Sequence, residues 1–270
     1  MKARLFNIFR RGSRTYFYSS IFFPAEVRDD VFALYSFVRM ADDFVDSVPQ
    51  QKENFYDFRE LYHEAMKGKR TGNIVVDSFA DLSGRQGFDR LWAESFLGSM
   101  EMDILKNTYS TIEETMEYMY GSAEVIGLFM SKIMGLDPES YTFAQMQGRA
   151  MQYINFIRDI DEDLRLGRSY LPLAGTGLES LEHAHVMQNR RAFTNFIREQ
   201  ISTYRAWQKE AEKGYAFIPK RYLIPVKTAA DMYRWTADQI ERDPLIVYRV
   251  KKKPSISRIV GTLGINAIKI

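Results

Sequence analysis

The chain has 270 residues, of which 46% are hydrophobic and 14% aromatic, and its 37 basic and 35 acidic side chains leave a net charge of +2. This length and apolar content suffice for one large core and exclude a disordered chain. The near-neutral charge argues against nucleic-acid binding, while the absence of cysteine excludes disulfides and thiolate metal sites and fits a reducing, cytoplasmic compartment.

Helical periodicity dominates the sequence and predicts an all-α bundle in a single domain over residues 1–270. The basic N-terminus lacks the apolar run of a secretory signal, and no later segment has the roughly 18 uninterrupted apolar residues of a membrane span. The first clear helix begins after Pro24 and ends near Asp46, before Pro49. Only the short run 74–76 has a β-like pattern. Further helical segments are predicted near residues 52–67, 88–106, 111–134, 139–166, 178–213 and 224–242.

The C-terminal tail is more basic than the rest of the chain. Lys251, Lys252 and Lys253 precede Pro254, and a mixed apolar and basic stretch then runs over residues 256–270. The favoured interpretation is a solvated charge run followed by a last packed helix. The alternative is an electrostatically assisted contact with a membrane surface.

Two acidic clusters lie in separate helical segments, with Asp42 and Asp46 in the first and Asn155, Asp159 and Asp163 in the second. Residues four apart share one face of an α-helix, so each cluster forms a stripe. Like charges stacked in this way repel by a few tenths of a kcal/mol per pair, and a divalent cation would offset that repulsion. Mg²⁺ prefers one or two carboxylates together with substrate phosphate oxygens. The two stripes therefore predict a magnesium diphosphate site across a cleft.

Other polar side chains extend both stripes. Tyr35 and Arg39 precede Asp42 at helical spacing, which adds an aromatic hydroxyl and a cation to the first face. Gln152 lies on the second stripe, and Arg158 lies beside it, where its guanidinium can bind a phosphate oxygen. Either cluster alone is equally well explained as a solvated helix surface, but these neighbours favour a binding site.

Other kinds of site receive less support from the sequence. His63, His183 and His185 share no spacing with the acidic stripes and are interpreted as structural. A strand-embedded G-x-G-x-x-G motif is missing, so a dinucleotide site of the Rossmann type is not predicted. We therefore expect no NADPH.

Five ordered motifs resemble those of the squalene and phytoene synthases, which join two prenyl diphosphates head to head. Gln152–Asp163 with Gly167–Pro172 is the most specific of them, because it keeps the amide, the arginine and both aspartates in register. Glu124 departs from the pattern, since relatives usually carry a small residue there, and it predicts a local change of cavity shape and charge. The other four are Ser13–Tyr16, Tyr35–Asp46, Tyr120–Gly127 and a C-terminal pattern made up of Ile218–Arg221, Pro225–Val226, Ala229–Tyr233 and Tyr248–Val250.

This resemblance implies an isoprenoid synthase helical bundle with a central cavity. It implies Mg²⁺, or Mn²⁺ in its place, held by Asp42, Asp46, Asn155, Asp159 and Asp163. The implied catalytic residues are Asp42, Asp46, Asp159, Asp163, Tyr120 and Tyr233. The implied substrate-binding residues are Ser13, Arg14, Tyr35, Arg39, Gln152, Asn155, Arg158, Arg168, Tyr170 and Arg249.

The favoured function is condensation of two C20 geranylgeranyl diphosphates to phytoene through a cyclopropylcarbinyl diphosphate, with release of diphosphate. The nearest alternative is the same chemistry on C15 farnesyl diphosphate, giving dehydrosqualene, squalene or presqualene diphosphate. An alternative of another class is a catalytically inactive helical binding or assembly protein. A further alternative is a head-to-tail prenyltransferase or a terpene cyclase, but an enzyme of either kind would not be expected to carry the Tyr170–Pro172 motif. Apolar products imply access to a lipid phase, so a peripheral membrane contact is included among the expectations.

Overall fold

The computed structural model describes residues 5–6, 20 and 23–270 of the chain. This part is helical and contains no β-strand, only an isolated bridge between Thr108 and Ser169. The predicted all-α class is thereby confirmed. The α-helices of residues 23–270 are α1 (Ala25–Asp46), α2 (Lys52–Met66), α3 (Ile74–Gln86), α4 (Arg90–Leu105), α5 (Ile112–Met119), α6 (Val125–Ile133), α7 (Tyr141–Arg158), α8 (Ile160–Arg165), α9 (His183–Gln188), α10 (Arg190–Glu212), α11 (Lys220–Arg242) and α12 (Ile256–Lys269).

Shorter helical turns connect several of these elements. A π-helical turn, Tyr120–Glu124, joins α5 to α6, so the segment predicted as one helix over 111–134 is interrupted at its centre. Short 3₁₀ turns precede α7, follow α10 and follow α11, at Pro138–Ser140, Lys213–Phe217 and Pro244–Tyr248. The segment predicted over 178–213 is likewise divided, into α9 and α10.

Helix α3 was missed by the sequence pattern, which showed only a β-like run at its start. Asn73 caps this helix, because its side-chain oxygen accepts hydrogen bonds from the backbone amides of Val75 and Val76. Gly87 ends it with φ of 61°, a left-handed conformation that glycine adopts without strain. The caps and the burial of both valines outweigh the β preference of these branched residues.

The second acidic stripe spans a break between two helices. The predicted helix over 139–166 is divided at Asp159, which has φ of −100° and ψ of 12° and separates α7 from α8. Backbone hydrogen bonds nevertheless run from the amide of Asp159 to the carbonyl of Asn155 and from Asp163 to Asp159, both at 2.8 Å. Because this spacing of four is kept, the three side chains remain on one face.

Two hydrophobic clusters form the core on opposite sides of a cavity. One is built from α1 to α4 and α6, where the rings of Phe37 and Phe79 stack with centroids 3.9 Å apart. The other is built mainly from α5, α7, α10 and α11, and it contains Tyr153, Phe196 and Tyr204 among its buried rings. Members of both clusters line the cavity.

Close backbone contacts hold the π-helical turn and α6 against their neighbours. A Cβ added at Gly121 would lie 2.1 Å from the carbonyl oxygen of Ser95 in α4. One added at Gly127 would lie 2.2 Å from the carbonyl oxygen of Ala144 in α7. Only glycine permits these distances, so the packing of this cavity wall depends on residues that have no side chain.

We expect Gly121→Ala to lower the free energy of unfolding by about 1–3 kcal/mol, because the new methyl group can be accommodated only by moving backbone. Gly98→Ala in α4 is the matched control. A Cβ at Gly98 meets nothing within 4 Å, so this change should be neutral or stabilise the helix by about 0.5–1 kcal/mol. Urea unfolding of both variants tests the prediction, which fails if the two changes have equal effects.

Candidate active site

A cavity of about 500 Å³ lies between the two hydrophobic clusters. Its lining is acidic at one end, where α1 faces the junction of α7 and α8, and largely apolar elsewhere. Along α7 the lining extends from Phe143 to Arg158, a distance of roughly 22 Å at 1.5 Å per residue. This shape combines a polar site for a charged group with space for an apolar chain.

Most of the residues predicted from the sequence meet at this cavity. Tyr120 does not line it and is instead 38% exposed on the π-helical turn. Arg249 does not line it either, because its side chain is at the surface and pairs with Asp243. Ser13 and Arg14 lie outside the described residues. The predicted residues that do line the cavity are Tyr35, Arg39, Asp42, Asp46, Gln152, Asn155, Arg158, Asp159, Asp163, Arg168, Tyr170 and Tyr233.

Tyr118 contributes the cavity tyrosine that the sequence analysis assigned to Tyr120. It is 3% exposed and lines the cavity beside Ser122. Tyr118 shares the buried face of α5 with Thr115, three residues before it. This helical spacing is the signal in the sequence that favours Tyr118 over Tyr120 as the residue facing the cavity.

In the first acidic stripe, Arg39 bridges two consecutive aspartates. Its Nη1 lies 2.9 Å from Oδ2 of Asp42, and its Nη2 lies 2.5 Å from Oδ1 of Asp43. Burial between the cavity walls, followed by repulsion from Asp46, raises the pKa of Asp42 to about 7. The carboxylates on this face therefore repel each other in spite of the arginine.

In the second stripe, two cations neutralise Asp159, whereas Asp163 forms no ion pair with a described residue. Asp159 accepts from Nε and Nη2 of Arg158 at 2.8 and 2.6 Å and lies 3.1 Å from the ammonium of Lys251. Burial by itself raises the pKa of Asp159, but these cations outweigh it and hold the pKa below its usual value. Burial, with repulsion from Asp159 and Asp46, raises the pKa of Asp163 well above its usual value. Asp46 and Asp163 come from opposite stripes, so the two stripes face each other.

The donor atoms fit a divalent cation that is shared with a substrate. The side-chain oxygen of Asn155 is buried without a hydrogen-bond partner, and Asp163 forms no ion pair with a described residue. Within residues 5–6, 20 and 23–270, no three His, Cys, Asp or Glu side chains converge closely enough to enclose an ion by themselves. Mg²⁺ is usually held by one or two carboxylates together with phosphate oxygens and water, and the side chains here have the chemistry to supply the protein's share of such ligands.

Asp103 of α4 organises a buried polar network that the sequence analysis missed. It is 3% exposed, and its two oxygens accept hydrogen bonds from the hydroxyls of Tyr170 and Tyr118 at 2.6 and 2.7 Å. Burial raises the pKa of Asp103 to about 6, although Arg168 and the two hydroxyls lower it. The signal in the sequence is an acidic residue at an apolar position, since Phe96 and Asp103 are seven residues apart on the same stripe of α4.

Arg168 connects this network to the first acidic stripe. Its Nη1 lies 2.7 Å from Oδ1 of Asp46 and 3.7 Å from Oδ2 of Asp103, and its Nη2 donates to the carbonyl of Val45. The arginine is 4% exposed. These contacts hold Asp46 in place. Arg168 also lines the cavity, so the substrate-binding role expected from the sequence stays a prediction.

The basic tail differs from the solvated run that the sequence favoured. Lys251 and Lys253 line the cavity, and Lys251 pairs with Asp159 and Glu162. The last packed helix is present as α12, which buries Ile259 and Leu263. No helix in the described part of the chain has the length and apolar character needed to cross a bilayer.

The three histidines stand apart from the cavity. His63 lies near Glu60 and Glu94, and the ring of His183 packs on Tyr248 with centroids 5.1 Å apart. The ring of His185 accepts a hydrogen bond from the amide of Glu179. None of them lines the cavity, which agrees with their interpretation as structural residues.

Comparison with known proteins identifies the family. The family model for squalene/phytoene synthase matches residues 9–259. Among curated relatives, the chloroplastic phytoene synthase of an Oncidium hybrid cultivar is 30% identical over 243 residues, which cover 85% of this chain and 58% of that protein. The 15-cis-phytoene synthase of Enterobacter agglomerans is 29% identical over 236 residues, covering 83% of this chain and 80% of that protein.

Solved structures show the same fold. A dehydrosqualene synthase solved with a ligand superposes with a TM-score of 0.86 at 19% identity, over 99% of this chain and 95% of that one. A squalene synthase of Alicyclobacillus acidocaldarius superposes with a TM-score of 0.76 at 23% identity, over 90% of this chain and 94% of that one. The chain therefore belongs to the squalene/phytoene synthase family of head-to-head prenyltransferases.

Proposed function

We propose that the protein condenses two geranylgeranyl diphosphates to phytoene in a Mg²⁺-dependent reaction, through a cyclopropylcarbinyl diphosphate and with release of diphosphate. The observation that carries the proposal is the pair of facing acidic stripes at one end of an apolar cavity, with Asp46 and Asp163 close enough to repel each other. The phytoene synthases among the relatives support the choice of a C20 substrate.

The first chemical step is departure of diphosphate from the allylic carbon. Asp42, Asp46, Asn155, Asp159 and Asp163 would hold Mg²⁺, which when bound supplies a Lewis acid for the charge that develops on the leaving group. The guanidinium groups of Arg39 and Arg158 lie at the same end of the cavity and can donate charge-assisted hydrogen bonds to phosphate oxygens.

The apolar part of the cavity must protect a carbocation from water, because capture by water would give a prenyl alcohol. The rings of Tyr35, Tyr118, Phe156 and Tyr233 line the cavity, where their faces can stabilise a cation. Burial raises the pKa of Tyr35 far above its usual value, so its hydroxyl remains protonated. We propose the released diphosphate as the acceptor of the proton lost in the last step.

A product assay tests the proposed function. Purified protein would be incubated with Mg²⁺ and equimolar radiolabelled geranylgeranyl and farnesyl diphosphates, with and without NADPH, and the hydrocarbons identified by chromatography. We expect C40 product that does not depend on NADPH. Exclusive C30 product would overturn the proposed substrate, and no product from either substrate would support an inactive binding or assembly protein.

The second candidate function is the same chemistry on farnesyl diphosphate, to dehydrosqualene, squalene or presqualene diphosphate. It is favoured by the structural neighbours, which include a dehydrosqualene synthase and a squalene synthase. The same assay decides between the two candidates, because the chain lengths of their products differ.

We also propose that α12 lies on an anionic membrane surface. Its inner face is buried, whereas the side chains of Val260, Ile265 and Ile268 on its outer face are 50%, 52% and 88% exposed. The sequence from Arg249 to the end of the chain contains basic residues and no acidic one. An apolar helix face beside basic residues is typical of interfacial helices, and an apolar product needs a lipid phase to receive it. The cytoplasmic location stays a prediction.

Flotation with vesicles of phosphatidylserine and phosphatidylcholine tests this contact. We expect the unsubstituted protein to float and the double variant Ile265→Ser with Ile268→Ser to remain in solution, because the apolar area that enters the interface is lost. Leu91→Ser is the control, since Leu91 is 68% exposed on α4, a different helix. A failure of the unsubstituted protein to float, or equal loss in the control, would contradict the proposal.

A further inference from the structure

Three consecutive lysines in a non-helical segment differ in whether they line the cavity. Residues 250–255 connect the last 3₁₀ turn to α12 and have no helical structure. Lys251 and Lys253 line the cavity, but Lys252 does not.

Ion pairs of Lys251 fix the segment over the second acidic stripe. Its ammonium lies 3.1 Å from Oδ2 of Asp159 and also pairs with Glu162 of α8. Lys253 follows two residues later and lines the same cavity. The segment therefore brings Lys253 to the acidic end, where the diphosphate is proposed to bind.

Several other cations at this end are engaged with carboxylates. Arg39 pairs with Asp42 and Asp43, and Arg168 pairs with Asp46. Within the described part of the chain, Lys253 forms no ion pair with any carboxylate. An ammonium in this position can bind an incoming anion without first leaving a protein partner.

We propose that Lys253 is a diphosphate-binding residue, which Lys251 positions through its ion pairs with Asp159 and Glu162. The inference rests on the proposed function for the identity of the anion. A lysine ammonium is a compact charge with three donors and suits phosphate oxygens that can approach from several directions. Lys252, which does not line the cavity, has no part in this contact.

Calorimetric titration with inorganic diphosphate in the presence of Mg²⁺ tests the assignment. We expect Lys253→Ala to raise the dissociation constant about tenfold or more, and Lys253→Arg to restore most of the affinity because it keeps the positive charge. Lys252→Ala removes the same charge one residue away and should change the constant by less than about twofold. With prenyl diphosphate as substrate, Lys253→Ala should raise KM more than it lowers kcat.

Equal losses in Lys253→Ala and Lys252→Ala would show that the lysines act only through their general charge and would overturn the proposal. So would an unchanged affinity in Lys253→Ala, or no diphosphate binding by the unsubstituted protein. Circular dichroism and thermal melting of each variant confirm that the fold is kept. If the protein forms no hydrocarbon but the selective loss in Lys253→Ala remains, the proposed function fails and the diphosphate site stands.

Discussion

Asp42→Asn is expected to lower turnover by about 10²–10⁴-fold at saturating substrate, because it removes a carboxylate proposed to hold the metal against the leaving diphosphate. Asp43→Asn should leave turnover within about threefold, because it removes only an ion pair at the protein surface, and such pairs contribute little. The two aspartates are adjacent and both pair with Arg39, but Asp42 lines the cavity whereas the Asp43 side chain is 55% exposed outside it. The comparison therefore separates metal binding from loss of the ion pair with Arg39.

Initial rates over a Mg²⁺ titration provide the first measurement for this pair of variants. Binding of Mn²⁺ in the presence of inorganic diphosphate, followed by electron paramagnetic resonance, provides a second that does not depend on product formation. We expect weaker Mn²⁺ binding in Asp42→Asn and nearly normal binding in Asp43→Asn. If both variants lost activity to the same extent, the acidic stripe would act through Arg39 and not through a metal.

Asp103→Ala is expected to lower the free energy of unfolding by about 3–5 kcal/mol, because it leaves the buried guanidinium of Arg168 with one carboxylate partner fewer. It also removes the acceptor of the hydroxyls of Tyr118 and Tyr170. Asp81→Ala is the control: Asp81 pairs with Arg70 at the surface, and such pairs contribute about 0–1 kcal/mol. Guanidinium chloride unfolding measures both changes, and equal effects would contradict the prediction.

A double variant distinguishes the contribution of this network to stability from its contribution to activity. Asp103→Leu with Arg168→Met replaces both members of a buried ion pair with apolar groups, so most of the lost stability should return. Asp46 would still lack the guanidinium that holds it at 2.7 Å, and turnover should therefore stay low. Recovery of both stability and turnover would show that Arg168 does not position Asp46.

The sequence predicted the features that depend on local spacing. Pro24 and the periodic apolar residues located α1 correctly, and the spacing of four placed Asn155, Asp159 and Asp163 on one face even though the helix breaks within the stripe. These inferences succeed because helix geometry relates near neighbours in the chain to a common face. The pairing of the two stripes came from chemistry, because a divalent cation would offset the repulsion within each stripe and Mg²⁺ prefers few carboxylates together with phosphate oxygens.

Features that depend on distant contacts were missed. Asp103 becomes a network centre only when α4 packs beside Tyr170. Lys253 lines the cavity in a segment whose Lys251 pairs with Asp159, at the junction of α7 and α8. Glu124 was expected to alter cavity shape and charge. In the structure it does not line the cavity, because its carboxylate is buried against Nε of Arg149 at 2.7 Å.

The π-helical turn between α5 and α6 determines how long a wall this part of the chain can present to the substrate. In a straight α-helix, residues four apart drift by about 40° at each step, so a line of such residues soon rotates away from any fixed direction. One extra residue in a turn reverses much of that drift. Tyr118, Ser122, Ile126, Met130 and Met134, each four residues from the next, consequently all line the cavity. Deleting a single residue from this turn would rotate the second half of the wall by about 100° and exchange its lining side chains for a different set.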